Sequence, residues 1–476
     1  MSILVIDVGT SGVRAAVVDP DSTVRRMAHR PLAGAPPAAG LVEIDAAALA
    51  ATTLEVAHEA MDGETVQAVG VTNQRATTIV WDRLTGVPVG PGIGWQDLRT
   101  VGTCLGLQER GLRLAPNASA TKLAYLLQGA GRDRDLAFGT VDTWVAWTLT
   151  CGSEHVIDVT NAAATGMASP DGYGWDQDVL DALQIPTSVL PRIVDCTGAI
   201  AACTALPGDP PLTGLVGDQQ ASLLGQSCVA SGQTKATFGT GAMLDCVTGP
   251  PTKPTAMLSH GCYPLPARSS DGEITWAVEG IVLTAGSCVD WLADDLELIG
   301  SAAESEAVAA RCLDTAGVWF VPALLGLGTP MWDYGARGTL LGVTRGSGRS
   351  QLVRAVLEGV AHRGADLLEA AEADTGLPIP VLRIDGGMSA NSVFVQALAD
   401  ACGRPVEVSP VLEATTLGAA YFAGLAVGVW AGDDDIVAAW SPSRVVEPVG
   451  TADRDRWREA VSRAGQWLPE LSGLRF

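Results

Sequence analysis

The stretch at residues 3–19, ILVIDVGTSGVRAAVVD, constrains the fold more than any other part of the chain. Two apolar runs rich in β-branched residues flank a glycine turn, so the pattern predicts a hairpin of two strands. A dinucleotide-binding unit would continue from its glycines into a helix, and a P-loop would carry Lys-Ser or Lys-Thr after them. Neither feature is present, so the hairpin belongs to another kind of site.

The rest of the chain alternates strand-like and helix-like segments. The runs VQAVGVTN and TTIVWDR predict strands, residues 48–62 predict a helix, and a second helix is expected from near Ser119. This alternation predicts an α/β fold. Glycine turns after a strand recur in TKATFGTGAMLDCVTG and VLRIDGGMSAN, which favours a duplicated fold, although chance recurrence among 55 glycines is the alternative.

A length of 476 residues exceeds one ordinary core. The proline-rich stretch at residues 196–214, or the helix after it, is the expected boundary. We therefore predict an N-terminal domain over residues 1–228, a C-terminal domain over residues 229–440 and a helical tail over residues 441–476. In the tail, tryptophans are expected to dock an amphipathic helix on the second domain.

The amino-acid composition argues against some classes of binding partner. A net charge of −23 argues against nucleic acid and against an anionic membrane as partners. Ten cysteines without a CxxC pair predict buried, reduced thiols, and the lack of a signal peptide predicts a cytoplasmic protein. The uncharged residues 414–432 approach the length of a membrane span, but their many glycines and alanines favour a buried helix.

The first hairpin has the chemistry of a phosphate site. Its turn offers successive N–H groups and the hydroxyls of Thr10 and Ser11, which suit phosphate oxygens. Asp7 could hold a hydrated Mg²⁺, and Arg14 could add a positive charge. The alternative is a plain tight hairpin in which Asp7 accepts hydrogen bonds from the turn.

Three further polar motifs point to a small acceptor. In GDQQ, Asp218 followed by two glutamines suits a base acting on a hydroxyl, with a helix N-cap as the alternative. Arg75, at a predicted strand end, and Trp95, after a glycine turn, could clasp a polyol. Ordinary sheet-end residues in a salt bridge are the alternative for each.

Together these motifs resemble the FGGY carbohydrate kinases, and within that family the glycerol kinases most closely. The resemblance rests on DVGTSGVR, GVTNQRATTIVWDRLTG, WQDLRT, DVTNAAATGM, GDQQASLLGQ, TFGTGA, ARGTLLGVTRG and DGGMSANSVFVQ, in this order. It implies a two-domain actin-like (ribonuclease H-like, duplicated) ATPase fold with a central cleft. The resemblance also implies ATP, Mg²⁺ and a polyol or sugar as ligands. It implies a homodimer or homotetramer as the assembly.

The resemblance also implies a role for each matched residue. Asp218 is the catalytic base, and it shares Mg²⁺ with Asp7. The acceptor-binding positions are Arg75, Ala76, Trp95, Asn117, Asp218 and Gln219. The nucleotide-binding positions are Thr10, Ser11, Gly12, Arg14, Thr240, Gly286, Asp290, Gly387 and Asn391.

The sequence departs from the family pattern at four places. Ala76 replaces a glutamate, and Asn117 replaces a tyrosine. These two changes leave the identity of the acceptor open, with a longer polyol or a ketopentose such as xylulose as the alternatives. They also leave open that the chain is a degenerate, non-catalytic member of the fold. Asp290 stands where glutamine is usual. GDPPLTGL replaces the basic loop that binds fructose 1,6-bisphosphate, so no such inhibition is expected. A nucleotide switch of the actin type is the rival class, but it would lack the polyol clamp.

Overall fold

The computed structural model describes residues 2–32, 37–38, 40–130, 135–251, 256–411 and 413–474. Its first large sheet has six strands in the order β5-β6-β4-β1-β2-β3. Their bounds are β1 (Ile3–Val8), β2 (Gly12–Val18), β3 (Val24–Pro31), β4 (Ala68–Asn73), β5 (Thr197–Ala202) and β6 (Pro211–Gly217). Strand β1 is antiparallel to β2 and parallel to β4, so the predicted hairpin is confirmed at the centre of a sheet.

The second large sheet has seven strands in the order β9-β10-β8-β7-β11-β12-β13. Their bounds are β7 (Thr234–Phe238), β8 (Ala242–Thr248), β9 (Tyr263–Ser270), β10 (Glu273–Val282), β11 (Leu382–Asp385), β12 (Val406–Val408) and β13 (Arg444–Val446). Strand β7 is antiparallel to β8 and parallel to β11.

The two sheets have the same plan, which confirms the duplication. In each, three antiparallel strands precede two parallel ones, and an antiparallel edge strand closes that side. The edge strand precedes its partner along the chain in the first sheet and follows it in the second. Strand β9 extends the second sheet on its other side.

Fifteen helices accompany the sheets in the described residues. They are α1 (Ala46–Met61), α2 (Val101–Glu109), α3 (Ser119–Ala130), α4 (Val141–Leu149), α5 (Val159–Ala164), α6 (Gln177–Leu183), α7 (Asp218–Gly225), α8 (Gly286–Asp294), α9 (Glu304–Ala309), α10 (Arg349–Thr375), α11 (Ser392–Cys402), α12 (Ala414–Ala426), α13 (Asp433–Ala439), α14 (Arg454–Ala464) and α15 (Pro469–Ser472). Four small two-stranded ladders pair Glu43–Ile44 with Gly92–Ile93, Ile79–Asp82 with Leu136–Gly139, Val156–Asp158 with Arg192–Val194, and Trp319–Val321 with Thr339–Leu341. The helices predicted at residues 48–62 and from Ser119 are confirmed as α1 and α3.

Helices α7 and α12 cross closely between the two halves. A Cβ atom added at Gly418 would lie 1.7 Å from the Ala221 carbonyl oxygen, and one at Gly225 would lie 1.9 Å from that of Ala414. Helix α12 also packs on the first sheet, where Leu417 and its neighbours join the core of β1 and β6. The uncharged segment is thus a buried helix, and within the described residues no helix has the length and apolarity that a membrane crossing requires.

The C-terminal tail docks through one of its two tryptophans. Trp457 on α14 is fully buried and stacks on His362 with ring centroids 4.8 Å apart. Trp467 is 71% exposed, so the prediction that the tryptophans dock is correct for Trp457 and wrong for Trp467. The cysteines are all free, but the prediction of burial holds for seven, while Cys151 is exposed.

Candidate active site

The first hairpin presents its turn outward. The Gly9 N–H donates to the Gly12 carbonyl at 2.9 Å, which tightens the turn and leaves Thr10 and Ser11 exposed. A Cβ atom at Gly12 would lie 2.4 Å from His29 Nε2, so the start of β2 requires a glycine. The Ser11 hydroxyl is therefore accessible to a ligand, whereas the Thr10 hydroxyl donates to Gln74 Oε1 at 3.2 Å.

Asp7 and Arg14 face each other across β1 and β2. Burial raises the pKa of Asp7 to about 7; Arg14 opposes this rise, while Asp218 and Glu413 add to it. The Arg14 guanidinium lies 3.9 Å from Asp7 and only 2.8 Å from Glu413, the residue before α12. Glu413, which the sequence did not indicate, therefore holds the arginine beside the turn.

Asp218 is the first residue of α7, directly after β6. The helix N-cap is Gly217, so the alternative role of Asp218 as N-cap is wrong. Its Oδ1 accepts from the Gln219 N–H at 2.8 Å. Burial raises the pKa of Asp218, with Arg75 as the main opposing charge, which moves this carboxyl towards the range that suits a base near neutral pH.

Arg75 lies just beyond β4, the neighbour of β6, and contacts carboxylates of both halves. Its Nε lies 3.8 Å from Asp218 Oδ1, and its Nη2 donates to Glu279 Oε2 at 2.6 Å. Glu279 belongs to β10 of the second sheet and is 6% exposed. The sequence analysis missed Glu279, although a carboxylate within an apolar strand is an available signal.

Trp95 and Asn117 are tied together by a buried lysine. Lys122 Nζ donates to the Trp95 carbonyl at 2.9 Å and to the Asn117 carbonyl at 3.1 Å. Burial lowers the pKa of Lys122 to about 7. The Trp95 indole N–H also donates to Thr10 Oγ1 at 3.2 Å. Trp95, a predicted acceptor-binding residue, is thus in direct contact with the phosphate turn. Asn117 is exposed.

Ala76 has an uncommon backbone conformation. Its φ is +63° and it is 5% exposed, although an alanine rarely adopts the left-handed region. Its carbonyl accepts from the Ser119 hydroxyl at 2.9 Å, which helps to fix this geometry.

The two glutamines of the GDQQ motif point in different directions. Gln219 is half-buried, and its Oε1 accepts from Lys235 Nζ at 2.7 Å. Gln220 is buried and donates to the Pro266 carbonyl at 3.3 Å. The two amides that follow Asp218 therefore do not line one small volume, because successive helical residues diverge by about 100°.

A buried polar network joins the ends of β4 and β6. Asp158 accepts from Thr160 Oγ1 and from Asn161 Nδ2, both at 2.6 Å. Thr160 Oγ1 accepts in turn from the Gly217 N–H at 2.8 Å, and Asn161 exchanges two amide hydrogen bonds of 3.0 Å with Asn73. The strand ends that precede the arginine and the aspartate are thereby fixed relative to each other.

The second glycine turn, between β7 and β8, abuts the start of α8. The Gly286 N–H donates to the Gly239 carbonyl at 2.8 Å, and a Cβ atom at Gly286 would lie 2.5 Å from that oxygen. Thr240 and Asp290 are both exposed beside this junction. The close approach explains the glycine and leaves the threonine free to face a ligand.

Gly387 and Asn391 follow β11, the strand beside β7. Gly387 starts the short 3₁₀ helix Gly387–Ala390, and a Cβ atom there would meet nothing within 4 Å. The Asn391 side chain caps α11, accepting from the Phe394 N–H at 3.0 Å, and donates to Ser305 Oγ at 3.1 Å. Gly387 thus borders open space, whereas both polar ends of Asn391 have protein partners.

The carboxylates fit a magnesium ion shared with phosphates. Within the described part of the chain, no three or more His, Cys, Asp or Glu side chains form a group suited to a metal ion. Asp7 and Asp218 are close enough for the charge of Asp218 to raise the pKa of Asp7. One or two carboxylates, with water and phosphate oxygens as further ligands, are typical of Mg²⁺ in kinase sites.

Two duplicated sheets, an outward-facing phosphate turn and a half-buried carboxylate base beside an arginine define a class: an ATP-dependent kinase of small hydroxyl compounds on an actin-like fold. Residues 2–225 match the FGGY family of carbohydrate kinases, N-terminal domain, and residues 234–427 match its C-terminal domain. The chain therefore belongs to the FGGY family of carbohydrate kinases and is a phosphotransferase.

Relatives of known name agree with this membership. The chain is 41% identical to a glycerol kinase of Aromatoleum aromaticum over 98% of this chain and 99% of that protein. It is 42% identical to a glycerol kinase of Trichlorobacter lovleyi with the same two coverages. Among solved structures, Plasmodium falciparum glycerol kinase with ADP superposes with a TM-score of 0.88 at 28% identity, covering 100% of this chain and 99% of that one.

Proposed function

We propose that this kinase transfers the terminal phosphoryl group of ATP to a primary hydroxyl of glycerol. The observation that carries the proposal is the position of Arg75 between Asp218 and Glu279, because it joins a base to a hydroxyl-binding cation at neighbouring strand ends. The identity of about 41% to proteins named glycerol kinase supports glycerol as the acceptor over a longer polyol or a ketopentose.

The chain's own residues supply positioning and proton transfer. Asp218 accepts the proton of the attacking hydroxyl, and its raised pKa suits that role. Arg75 and Gln219 orient the acceptor, and Trp95 covers its carbon atoms. Phosphoryl transfer depends mainly on such positioning and on stabilising charge.

Asp7 and Asp218 would hold Mg²⁺ beside the phosphate turn. When bound, the ion offsets negative charge on the phosphates. The Ser11 hydroxyl and the N–H groups of the turn, including that of Thr10, add neutral donors, and Arg14 adds a positive charge. Thr240 and Gly387 border the nucleotide from the second sheet.

The departures at Ala76 and Asn117 are compatible with glycerol. Ala76 offers only a methyl group, and no hydrogen bond of the Asn117 side chain is found in the described residues. Arg75, Asp218 and Gln219 then carry most of the hydroxyl recognition. We expect weaker discrimination against longer polyols, because a missing polar partner relaxes selectivity.

The test is ADP formation by the purified protein with ATP and Mg²⁺ against glycerol, erythritol, threitol, ribitol, xylitol, xylulose and ribulose. We expect glycerol to give the highest kcat/KM, with glycerol 3-phosphate identified by ³¹P NMR. A higher kcat/KM for a longer acceptor would overturn the choice of glycerol. ADP formation that no acceptor stimulates would favour a degenerate member.

We further propose that the enzyme acts in the cytoplasm as a homodimer or homotetramer. The family resemblance supports the assembly. Light scattering on the purified protein measures it, and a monomer would contradict it.

A further inference from the structure

Lys235 is buried behind the acceptor site, where it donates two hydrogen bonds and pairs with a carboxylate. It is fully buried at the start of β7. Its Nζ lies 2.7 Å from Gln219 Oε1, 2.7 Å from Asp245 Oδ2 and 3.1 Å from Thr237 Oγ1. The ammonium group therefore donates to the amide and to the hydroxyl, and it forms an ion pair with the carboxylate.

The contact with Lys235 decides which end of the Gln219 amide faces the site. A lysine ammonium donates and never accepts, so the oxygen of the amide must face it. The amide nitrogen therefore points the other way, and within the described residues Nε2 donates to no other group. Since Gln219 is half-buried and follows Asp218, that nitrogen is available to a ligand beside the base.

We propose that Lys235 is a positioning residue that fixes the Gln219 amide so that Nε2 donates to a hydroxyl oxygen of the acceptor. This inference rests on the proposed function, in which the acceptor is a polyol. Asp218 accepts a hydrogen bond from the acceptor hydroxyl, whereas Gln219 donates one to it. Together they select a group that can both donate and accept, which is a hydroxyl.

Asp245 completes the arrangement from the second sheet. It lies on β8, directly opposite Lys235 in the ladder with β7, and is 1% exposed. A buried ammonium without a carboxylate partner would be costly. Because Lys235 belongs to the second sheet and Gln219 to α7 after the first, the orientation of the amide depends on how the two halves meet.

A pair of substitutions distinguishes the two ends of the amide. Gln219→Glu keeps an oxygen for Lys235 but removes both N–H donors, and Gln219→Met removes donor and acceptor without adding charge. We expect both variants to raise the KM for glycerol by about tenfold or more. A KM for glycerol of Gln219→Glu within twofold of wild type would overturn the proposal, since the side-chain oxygen would then be the group that binds the acceptor. If Gln219→Glu raised the KM but Gln219→Met did not, the proposal would also fail, because the added negative charge would then explain the effect.

The role of Lys235 is tested by non-additivity. Lys235→Met combined with Asp245→Leu removes both buried charges and avoids an unpaired one. We expect this double variant to raise the KM for glycerol with little change in kcat, and to add little to the effect of Gln219→Met. Fully additive effects on KM would overturn the proposal, since a purely structural ion pair would not act through Gln219.

A second readout separates this inference from the proposed function. The same cycle followed by thermal unfolding needs no acceptor, and we expect the Tm changes to be non-additive as well. If glycerol is not phosphorylated but the Tm changes are coupled, the proposed function alone fails. Additive Tm changes would overturn the contact between Lys235 and Gln219 whatever the acceptor is.

Discussion

The Nε atom of Arg75 lies 3.8 Å from Oδ1 of Asp218, in a pair that follows two neighbouring parallel strands of the first sheet. The other side of the same guanidinium donates to Glu279 of the second sheet at 2.6 Å. One side chain thus stabilises the ionised base and connects the two halves of the molecule.

Replacing Arg75 should therefore impair turnover, and it should also lower stability because the buried Glu279 loses its partner. We expect Arg75→Met to lower kcat/KM for the acceptor by about a hundredfold or more, because a buried charge-assisted donor is lost. The matched control is Arg30→Met, which removes a partly exposed arginine paired with Glu55 and Glu59. Steady-state kinetics on both variants provide the check, and equal small effects would contradict the role of Arg75.

A substitution at Gly387 should weaken the binding of ATP. An added methyl group would meet no protein atom within 4 Å, so Gly387→Ala should fold normally. We expect it to raise the KM for ATP by about tenfold, since a methyl group would obstruct close approach of the nucleotide. Gly129→Ala, at an equally open glycine in α3, serves as control. Similar KM values for ATP in both variants would place the nucleotide elsewhere.

The buried pair Asp142 and Asp158 should make stability depend on pH. Burial raises the pKa of Asp142 from 3.8 to about 8, with the Asp158 charge adding to the rise. Burial raises the pKa of Asp158 as well, but its hydrogen bonds from Thr160, Asn161 and Cys196 oppose that rise, so Asp142 is the carboxyl that keeps its proton to the higher pH. The folded protein then binds more protons than the unfolded chain between about pH 4 and 8.

This contribution to stability is fully present below about pH 4 and is lost as pH rises through about 8, with a slope of up to about 1.4 kcal/mol per pH unit. Asp142→Asn, which stays neutral, should gain stability relative to wild type as pH rises from 5 to 8. Urea unfolding across this range measures it, with the exposed Asp209→Asn as control. Parallel pH curves for wild type and Asp142→Asn would contradict the assignment.

Fructose 1,6-bisphosphate should leave the rate unchanged. Residues 204–217 contain no lysine or arginine, and two phosphate groups need cationic partners. A titration of the enzyme with this sugar bisphosphate into the millimolar range checks the prediction. Half-inhibition at micromolar concentration would show a site elsewhere on the molecule.

Asp7, Arg75 and Asp218 could be predicted because each adjoins the end of a strand recognisable from its apolar run. Parallel neighbours bring such ends to one edge of a sheet. Glu279 and Lys235 were missed because they lie within strands of the other half, and only the packing of the halves brings them to the site.

The direction in which a side chain points was the second feature that could not be predicted from the sequence. The sequence places Gln220 and Asn391 next to the site, but a buried contact turns the first away and a helix cap engages the second. A tertiary contact decides the direction of Gln220, whereas the cap formed by Asn391 is local and follows from its place directly before α11. The conformation of Ala76 was equally inaccessible, because alanine gives no signal for a positive φ.

The central claim is that Asp218 is the base in phosphorylation of glycerol by ATP. The most direct test compares glycerol-dependent ADP formation by wild type and by Asp218→Asn, with thermal unfolding to show that both are folded. We predict turnover that requires glycerol, and a kcat lower by at least about a hundredfold in the variant. Turnover of the folded variant within tenfold of wild type, or ADP formation indifferent to glycerol, would contradict the account.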